Sequence, residues 1–270
     1  MTAPHPLRGR TALVTGASRR AGIGFATARR LAALGASVYL HHHTPHDAEQ
    51  PWGADPDGPE ALAAAVRDQA APGAVVAHGP GDLADPAVPA ALVEEAAGAL
   101  GGRLDILIAN QALSGHDGPL DDLTADMLDR HYRVNTRASV LLVQAFARRH
   151  GQAGPDAPPG RIVLMTSGQD QRGGMPGQIP YALSKGALAS ITRSLATDLA
   201  ARRITVNAVN PGPVDTGYLT GEHHAVIAGL FPGGRWGTPE DAARLITWLA
   251  SDDAGWITGE VINSEGGFAR

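Results

Sequence analysis

The sequence Thr11-Ala-Leu-Val-Thr-Gly-Ala-Ser-Arg-Arg-Ala-Gly-Ile-Gly24 decides the fold of this chain. Its first part, Thr11–Thr15, is a short apolar run typical of a buried strand, and a helical run begins at Phe25. The glycines between them allow a tight turn and a close approach of the backbone to a ligand. The first turn of the following helix offers free N–H groups and a partial positive charge. Because a strand precedes the turn and a helix follows it, the stretch predicts a βα unit that binds a dinucleotide.

The rest of the chain repeats this alternation of short aliphatic runs and longer alanine- and leucine-rich runs. Strands are predicted at Thr11–Thr15, Ser37–His41, Ala74–Ala77, Asp105–Ala109, Arg161–Thr166, Thr205–Val209 and Glu260–Asn263. Helices are predicted near 23–34, 59–70, 86–100, 124–149, 182–201 and 239–250, with a long surface loop at 41–58. Strictly alternating units imply a parallel sheet with right-handed crossovers and helices on both faces. We therefore predict a single doubly wound α/β domain over residues 1–270, with about seven strands.

Composition narrows the classes of function. The 270 residues are 43% hydrophobic and 18% charged, as expected of a globular protein. A formal net charge of −5 argues against nucleic acid as the main partner, and no apolar run approaches the ~20 residues of a membrane span. The lack of cysteine excludes disulfides and thiolate metal sites. We expect a cytoplasmic protein with no nucleic-acid or membrane partner.

A second informative stretch is Tyr181-Ala-Leu-Ser-Lys185, which holds the only lysine of the chain and one of its four tyrosines. On a helix, side chains four residues apart lie on one face, one turn apart. A phenol titrates near pH 10, and a cation within about 4–6 Å favours its charged form. Lysine suits this role because its ammonium is compact, whereas arginine is a planar fork. The pair is therefore a candidate proton donor, and a solvated surface lysine is the alternative interpretation.

Together with several other motifs, these two stretches resemble the short-chain dehydrogenase/reductase family. The glycine turn resembles the family's TGxxxGxG loop, with two extra residues between Gly16 and Gly22. The other matching segments are Gly81-Asp82-Leu83, Ala109-Asn110-Gln111-Ala112, Val134-Asn135, Thr166-Ser167, Asn210-Pro211-Gly212-Pro213 and Asn263-Ser-Glu-Gly-Gly. The resemblance covers nearly the whole chain and implies a Rossmann-type fold. The overall pattern is similar to the 3-oxoacyl-[acyl-carrier-protein] reductase branch of the family.

This resemblance implies hydride transfer between a nicotinamide cofactor and a carbonyl or secondary alcohol. Tyr181 would be the general acid or base, and Ser167 would hydrogen-bond the reacting oxygen. Lys185 would lower the pKa of Tyr181 and bind the nicotinamide ribose, while Asn135 would hold a water that links Lys185 to solvent. Ser167 precedes Tyr181 by 14 residues, one more than is usual in the family, so Gly168 falls at the usual position. Ser167 is preferred because glycine has no hydroxyl.

The resemblance and the glycine turn together predict the residues that bind the cofactor. They are Gly16, Ser18, Arg19, Arg20, Gly22, Ile23, Gly24, His42, His43, Asp82, Leu83, Asn110, Tyr181, Lys185, Pro211, Gly212, Val214 and Thr216. An acid at the end of the second strand would bind the ribose 2′-hydroxyl of NAD(H), but this strand ends in His41-His42-His43. The glycine turn supplies Arg19 and Arg20, which suit the 2′-phosphate of NADP(H). We therefore predict NADP(H), with NAD(H) less favoured.

The run of three histidines does not predict a metal site. Consecutive residues on a strand point to opposite faces of the sheet, so the three rings would not converge on one ion. No cysteine accompanies them, and no set of carboxylates lies at ligand spacing. We expect no bound metal.

Substrate selection is expected in Gln169–Ile179 and in Tyr218–Trp236, the latter within a lid around residues 213–236. The substrate would be a small-molecule ketone or alcohol, and a 3-oxoacyl thioester is one candidate. Two other functions remain open. A non-catalytic dinucleotide sensor would not need the Ser167, Tyr181 and Lys185 set, and a sugar-nucleotide epimerase or dehydratase typically has a substantial extra C-terminal domain. By resemblance, the chain forms a homotetramer or a dimer.

Overall fold

A computed structural model describes residues 5–170 and 173–268 of the chain. The strands are β1 (Thr11–Val14), β2 (Ser37–His42), β3 (Val76–Pro80), β4 (Ile106–Ala109), β5 (Gly160–Met165), β6 (Ile204–Asn210) and β7 (Val261–Asn263). They form one seven-stranded parallel sheet in the order β3-β2-β1-β4-β5-β6-β7. The strand order reverses between β1 and β4, which is the point where doubly wound sheets bind ligands. The predicted doubly wound α/β fold is confirmed.

Helices connect the strands on both faces of the sheet. They are α1 (Ile23–Ala33), α2 (Thr44–Glu49), α3 (Gly58–Arg67), α4 (Val88–Ala99), α5 (Ala125–His131), α6 (Ala138–Gly151), α7 (Ile179–Leu199), α8 (Gly221–Gly229) and α9 (Pro239–Leu249). A π-helical turn, Tyr132–Arg137, joins α5 to α6 within one continuous helical segment. Among the described residues, no helix combines the length and the apolar character that crossing a membrane requires.

Two apolar clusters form the core, one on each face of the sheet. Ala12 and Val14 pack in the cluster that includes α1 and α9, whereas Leu13 between them packs with residues of α4 and α6. Successive strand residues point to opposite faces, so a strand covered on both sides must be apolar throughout. This explains the continuous apolar run of β4, all four residues of which are buried. The carboxyl ends of the central strands therefore lie at one edge of a sheet that is packed on both faces.

Several boundaries differ from the sequence prediction. β3 begins at Val76 rather than Ala74, because it pairs with β2 from Val38 opposite Val76 to His42 opposite Pro80. The loop at 41–58 contains the short helix α2, and the lid segment contains α8. Helix α7 begins three residues earlier than predicted, with Pro180 in its first turn, where the missing N–H of proline is tolerated. Tyr181 therefore lies within the first turn of α7.

Candidate active site

A cleft of about 1460 Å³ opens at the carboxyl edge of the sheet. Most of the residues predicted to bind cofactor or to act in catalysis line it. They are Gly16, Ser18, Arg19, Gly22, Ile23, His43, Asp82, Leu83, Asn110, Ser167, Tyr181, Lys185, Pro211, Gly212, Val214 and Thr216. Four predicted residues do not line this cleft, namely Arg20, Gly24, His42 and Asn135.

The glycine turn after β1 is held against the end of β4. Gly16 has a φ of +65°, and a Cβ built there would lie 2.8 Å from the Cα of Gln111. A Cβ on Gly24 would lie 2.5 Å from the carbonyl oxygen of Gly16. The side-chain amide of Asn110 donates to the carbonyls of Thr15 and Gly16, at 2.9 and 3.0 Å. Gly24 does not line the cleft, but the turn needs a glycine there because a side chain would collide with the Gly16 carbonyl.

The N-terminus of α1 lies at the cleft without a side-chain cap from the described residues. Gly22 and Ile23, where the helix starts, both line the cleft. The helix has no side-chain cap and no acidic residue in its first turn. Free N–H groups and the partial positive charge of the helix end are therefore available to an anion. This arrangement fits the pyrophosphate of a nicotinamide dinucleotide.

The two arginines of the turn have different surroundings. Arg19 lines the cleft, with its guanidinium carbon 5.4 Å from the centre of the Trp52 ring and one Nη 2.8 Å from the carbonyl of Thr216. Burial lowers the pKa of Arg19, and the carboxylates of Asp47 and Asp55 act in the opposite direction. Arg20 instead points outward, where its guanidinium pairs with Asp55 and with Asp57. Only Arg19 is therefore placed to meet a cofactor.

The histidines that end β2 also separate into different roles. His41 lines the cleft: its Nε2 donates to the carbonyl of Gly81 at 2.9 Å, and its Nδ1 accepts from the N–H of Gly16 at 3.3 Å. Burial lowers the pKa of His41 to about 4, so the ring is neutral at physiological pH. His42 contacts His78 at 3.2 Å, which in turn contacts Glu60. The sequence prediction missed His41, although its position at the strand end was the available signal.

His43 joins the end of β2 to the glycine turn, because its backbone N–H donates to the Ser18 hydroxyl at 3.2 Å. In the described part of the chain, no three histidine or acidic residues are grouped so as to hold a metal ion. The hydrogen bond between His43 and Ser18 is thus a second link between the end of β2 and the turn after β1. The first is the hydrogen bond between His41 and Gly16.

Ser167, Tyr181 and Lys185 converge on the opposite side of the cleft. Ser167 follows β5 and makes a side-chain hydrogen bond with the Tyr181 hydroxyl. Nζ of Lys185 lies 5.8 Å from the centre of the Tyr181 ring. The one-residue offset of Ser167 in the sequence therefore does not separate its hydroxyl from the phenol.

Both ionisable groups of this set are shifted by burial. Lys185 is 2% exposed, its ammonium donates to the carbonyl of Met165 at 2.8 Å, and desolvation lowers its pKa to about 8. Desolvation raises the pKa of the Tyr181 phenol to about 12; the carboxylate of Asp117 adds to this rise, and the hydrogen bond with Ser167 opposes it. The predicted lowering of the Tyr181 pKa by Lys185 is absent from this structure. The phenol is accordingly held in its protonated form.

Asn135 lies in the π-helical turn, and its side chain is fully engaged by the protein. Its Oδ1 accepts from the N–H of Leu113 at 2.6 Å, and its Nδ2 donates to the Leu113 carbonyl and to the Ser184 hydroxyl, at 3.1 and 2.9 Å. Ser184 precedes Lys185 on α7. Asn135 thus ties the loop after β4 to the helix that carries Tyr181, and its water-holding role stays a prediction.

The segment after β6 completes the cleft. Gly212 has a φ of +63°, and a Cβ there would lie 2.4 Å from the Cβ of Glu265. Its N–H donates to the side chain of Asn210 at 3.0 Å. Beyond it, Tyr218, Ile227 and Leu230 line the cleft, in the segment predicted to be a lid. A glycine is required at position 212 both by the backbone conformation and by the close approach of Glu265.

Comparison with known proteins agrees with this geometry. Residues 16–269 match a family model described as enoyl-(acyl carrier protein) reductase. The chain is 43% identical over 259 residues to the uncharacterized oxidoreductase YjdA of Bacillus subtilis, covering 96% of each chain. It is 34% identical to versicolorin reductase 1 of Aspergillus parasiticus, over the full length of both proteins. The chain belongs to the short-chain dehydrogenase/reductase family.

A solved structure extends the likeness to three dimensions. A blue fluorescent protein from a metagenomic library, crystallised in complex with NADPH, superposes with a TM-score of 0.83 and 34% sequence identity. The match covers 98% of this chain and all of that one. The chain is thus a short-chain dehydrogenase/reductase in both sequence and fold, within a family of oxidoreductases that bind nicotinamide dinucleotides.

Proposed function

We propose that this protein is an NADP(H)-dependent ketoreductase that uses Tyr181 as its general acid. The observation that carries the proposal is the convergence of the Ser167 hydroxyl, the Tyr181 phenol and the Lys185 ammonium on the cleft that also receives the N-terminus of α1. Groups suited to bind phosphate and groups suited to donate a proton therefore line the same cleft. The function is carbonyl reduction, with alcohol oxidation as its reverse.

The side chains divide the chemistry between them. When bound, the nicotinamide cofactor supplies or accepts the hydride. Tyr181 donates its proton to the carbonyl oxygen as the alcohol forms, which a protonated phenol is suited to do. Ser167 hydrogen-bonds the same oxygen and stabilises the negative charge that develops on it. Lys185 binds the nicotinamide ribose, and Asn135 fixes the helix that carries both Tyr181 and Lys185.

NADP(H) is proposed as the preferred cofactor because Arg19 is the cationic side chain of the glycine turn that lines the cleft. The end of β2 presents histidines where an acid would repel a 2′-phosphate. The relative crystallised with NADPH supports the same choice. The experiment is the ratio of the dissociation constants for NADPH and NADH, and a preference for NADH would contradict it.

Two classes of ketone are proposed as substrates. A 3-oxoacyl thioester follows from the similarity to the acyl-carrier-protein reductase branch. A fused-ring aryl ketone is favoured by the wall of Met175, Tyr218, Leu230 and Phe268 on the cleft, and by the name of another relative, the tetrahydroxynaphthalene reductase of Pyricularia oryzae. Parallel assays with an acetoacetyl thioester and a bicyclic aryl ketone would separate the two classes by their kcat/KM values.

The deciding experiment is substitution of Tyr181 by phenylalanine. We expect Tyr181→Phe to lose nearly all ketone-dependent oxidation of NADPH while its dissociation constant for NADPH stays within a few-fold of the wild type. Turnover close to that of the wild type would overturn the assignment of Tyr181. If the wild-type protein binds NADPH but turns over no ketone in a broad panel, a non-catalytic sensor replaces the ketoreductase. Activity on a sugar nucleotide alone would favour the epimerase or dehydratase alternative.

We also propose that residues 1–270 act as one domain, with the segment around 213–236 as a substrate lid, and that the protein assembles as a homotetramer in the cytoplasm. α8 lies within this lid segment and places Ile227 on the cleft. Light scattering after size-exclusion chromatography would measure the number of subunits. Removal of α8 from the chain would be expected to raise the KM for ketone more than the KM for NADPH.

A further inference from the structure

The first turn of α7 lacks a local cap. The residue before it, Gln178, makes no capping hydrogen bond with its side chain, and the turn contains no acidic residue. Pro180 has no N–H, and the N–H of Ala182 already donates to the carbonyl of Gln178 at 2.8 Å. The N–H of Tyr181 instead donates to Oδ1 of Asp117 at 3.2 Å, across 64 residues of sequence. A carboxylate here also interacts favourably with the positive end of the helix.

A buried histidine lies on the other side of Asp117. His131 is fully buried at the end of α5, and its Nδ1 donates to the carbonyl of Met127 at 2.9 Å. Its Nε2 lies 3.6 Å from Oδ1 of Asp117 and has no hydrogen-bond partner among the described residues. The same ring packs edge-on against the ring of Tyr181, with centroids 6.4 Å apart and planes at 85°. His131 therefore contacts both the carboxylate of Asp117 and the ring of Tyr181.

The loop that carries Asp117 is fixed near its start as well. The side chain of Asn135 binds both backbone groups of Leu113, four residues before Asp117. The loop after β4 thus has two attachments to helical elements, one at Leu113 and one at Asp117. A displaced carboxylate would have to break the hydrogen bond with the Tyr181 N–H. These hydrogen bonds fix the position of the loop, and thereby the position of the Asp117 carboxylate at the start of α7.

We propose that Asp117 is a positioning residue for Tyr181: its carboxylate caps the first turn of α7 and fixes the place of the phenol in the cleft. This inference rests on the proposed role of Tyr181 as proton donor. Asp117 lines the cleft with a side chain that is 10% exposed, so its negative charge acts through little water. It disfavours the phenolate and thereby helps to keep Tyr181 protonated.

Other polar groups face the phenol from the elements around it. They are Ser167 after β5, Lys185 on α7, His131 on α5 and Tyr218 in the lid segment. None of these four is acidic, and Asp117 supplies the carboxylate that acts on the phenol. A change in the titration of Tyr181 on neutralising Asp117 would therefore report the loss of that one negative charge.

Two substitutions separate the charge of Asp117 from its hydrogen bond. Asp117→Asn keeps an oxygen that can accept from the Tyr181 N–H but removes the charge. Asp117→Ala removes both. The helix-capping variant Thr238→Ala is the matched control, because Thr238 caps α9 and does not line the cleft. The wild type and Tyr181→Phe complete the set, since their difference identifies the phenolate absorbance of Tyr181.

Near-ultraviolet titration of the cofactor-free protein gives a readout that does not depend on activity. We expect Asp117→Asn to lower the titration midpoint of Tyr181 and Thr238→Ala to leave it unchanged. In ketone reduction, we expect Asp117→Ala to lower kcat by about tenfold or more with little change in KM for NADPH, as a displaced acid would. Asp117→Asn should recover most of this loss in kcat near neutral pH.

An unchanged Tyr181 midpoint in Asp117→Asn would overturn the proposal, even if Asp117→Ala does not fold. Full kcat in a folded Asp117→Ala variant would overturn it as well. If Tyr181→Phe retains turnover, the proposed catalytic function fails independently, while the phenolate titration still tests the contact between Asp117 and Tyr181.

Discussion

The ammonium of Lys185 lies 5.8 Å from the centre of the Tyr181 ring, and it donates to the carbonyl of Met165 at the end of β5. One turn of α7 separates the two residues in sequence, as their spacing required. The lysine is therefore anchored to the sheet, and the phenol projects beside Ser167. The two groups are neighbours in one cleft, and within the described part of the chain no direct hydrogen bond joins their ionisable atoms.

The titration of Lys185 is the first testable consequence. Burial lowers its pKa to about 8, whereas an exposed lysine stays charged up to about pH 10.4. We expect the charge to be lost as the pH rises through about 8 in the cofactor-free protein. Since the chain contains a single lysine, labelling with 15N-lysine gives one side-chain signal to follow by NMR. A midpoint near 10.4 would show that the ammonium is solvated and would contradict its buried placement.

Replacement of this lysine by arginine should not preserve activity. Lys185 is 2% exposed, and its Nζ contacts the Met165 carbonyl and the Tyr181 ring. A guanidinium is larger and planar, and it cannot approach one carbonyl as a compact ammonium does. We expect Lys185→Arg to lower kcat/KM for ketone by about a hundredfold or more, a value measured from steady-state rates. Arg193→Lys, on the exposed side of α7, is the control and should keep wild-type rates.

The two arginines of the glycine turn provide a matched pair for cofactor choice. Arg19 lines the cleft, whereas Arg20 pairs with Asp55 and Asp57 outside it. A charge-assisted contact to a phosphate is worth about 1.5–3 kcal/mol, or roughly tenfold or more in affinity. We expect Arg19→Ala to raise the Kd for NADPH by that factor and to leave the Kd for NADH nearly unchanged in fluorescence titrations. Arg20→Ala should alter neither value much; a selective loss of NADPH binding there would reverse the assignment.

The buried His41 ring predicts that the free energy of unfolding falls at acid pH. Its folded-state pKa is lowered by burial from 6.5 to about 4, so the unfolded chain binds a proton in this range before the folded protein does. Its contribution to stability is therefore complete above pH 6.5 and is lost as the pH falls through about 4. The loss amounts to roughly 3 kcal/mol. Urea unfolding of His41→Gln should show a flatter dependence on pH than the wild type between these values; parallel curves would argue against a buried neutral ring.

Gly24 tests the shape of the phosphate turn. A Cβ there would lie 2.5 Å from the carbonyl of Gly16, so Gly24→Ala must displace the turn. We expect a loss of about 1–3 kcal/mol in the free energy of unfolding and a weaker affinity for NADPH. Gly98→Ala is the control in α4, where nothing lies within 4 Å of the added Cβ. The control should be neutral or stabilising by roughly 0.5–1 kcal/mol, since alanine favours a helix. Equal NADPH affinity in Gly24→Ala and the wild type would show that the turn accommodates the methyl group.

The sequence predicted the fold well because its signals are local and repeated. The apolar runs of β1 and β4 follow directly from two-sided burial, and Tyr181 and Lys185 lie on one helix face, as their spacing indicated. Ser167 lines the same cleft as Tyr181 despite its offset in sequence, and its catalytic role stays a prediction.

Other features depend on contacts between distant segments, which a single sequence does not display. Arg20 was predicted to bind the cofactor, but its guanidinium forms ion pairs with Asp55 and Asp57 outside the cleft. His41 and Asp117 were missed because their partners, Gly81 and the Tyr181 backbone, come from other elements. Neither pairing leaves a motif along the chain, since each depends on how the loops meet in the folded protein.

The π-helical turn at Tyr132–Arg137 constrains the length of this segment. Such a turn holds one residue more than an α-helical turn, and each α-helical residue advances the chain by about 100°. Deleting one residue here would rotate either α5 or α6 by that angle. His131 would then leave the phenol, or Leu142 and Phe146 would leave the core. The extra residue sets the rotation between α5 and α6, so that His131 can contact Tyr181 while Leu142 and Phe146 pack in the core. We therefore expect this short stretch to tolerate neither insertions nor deletions.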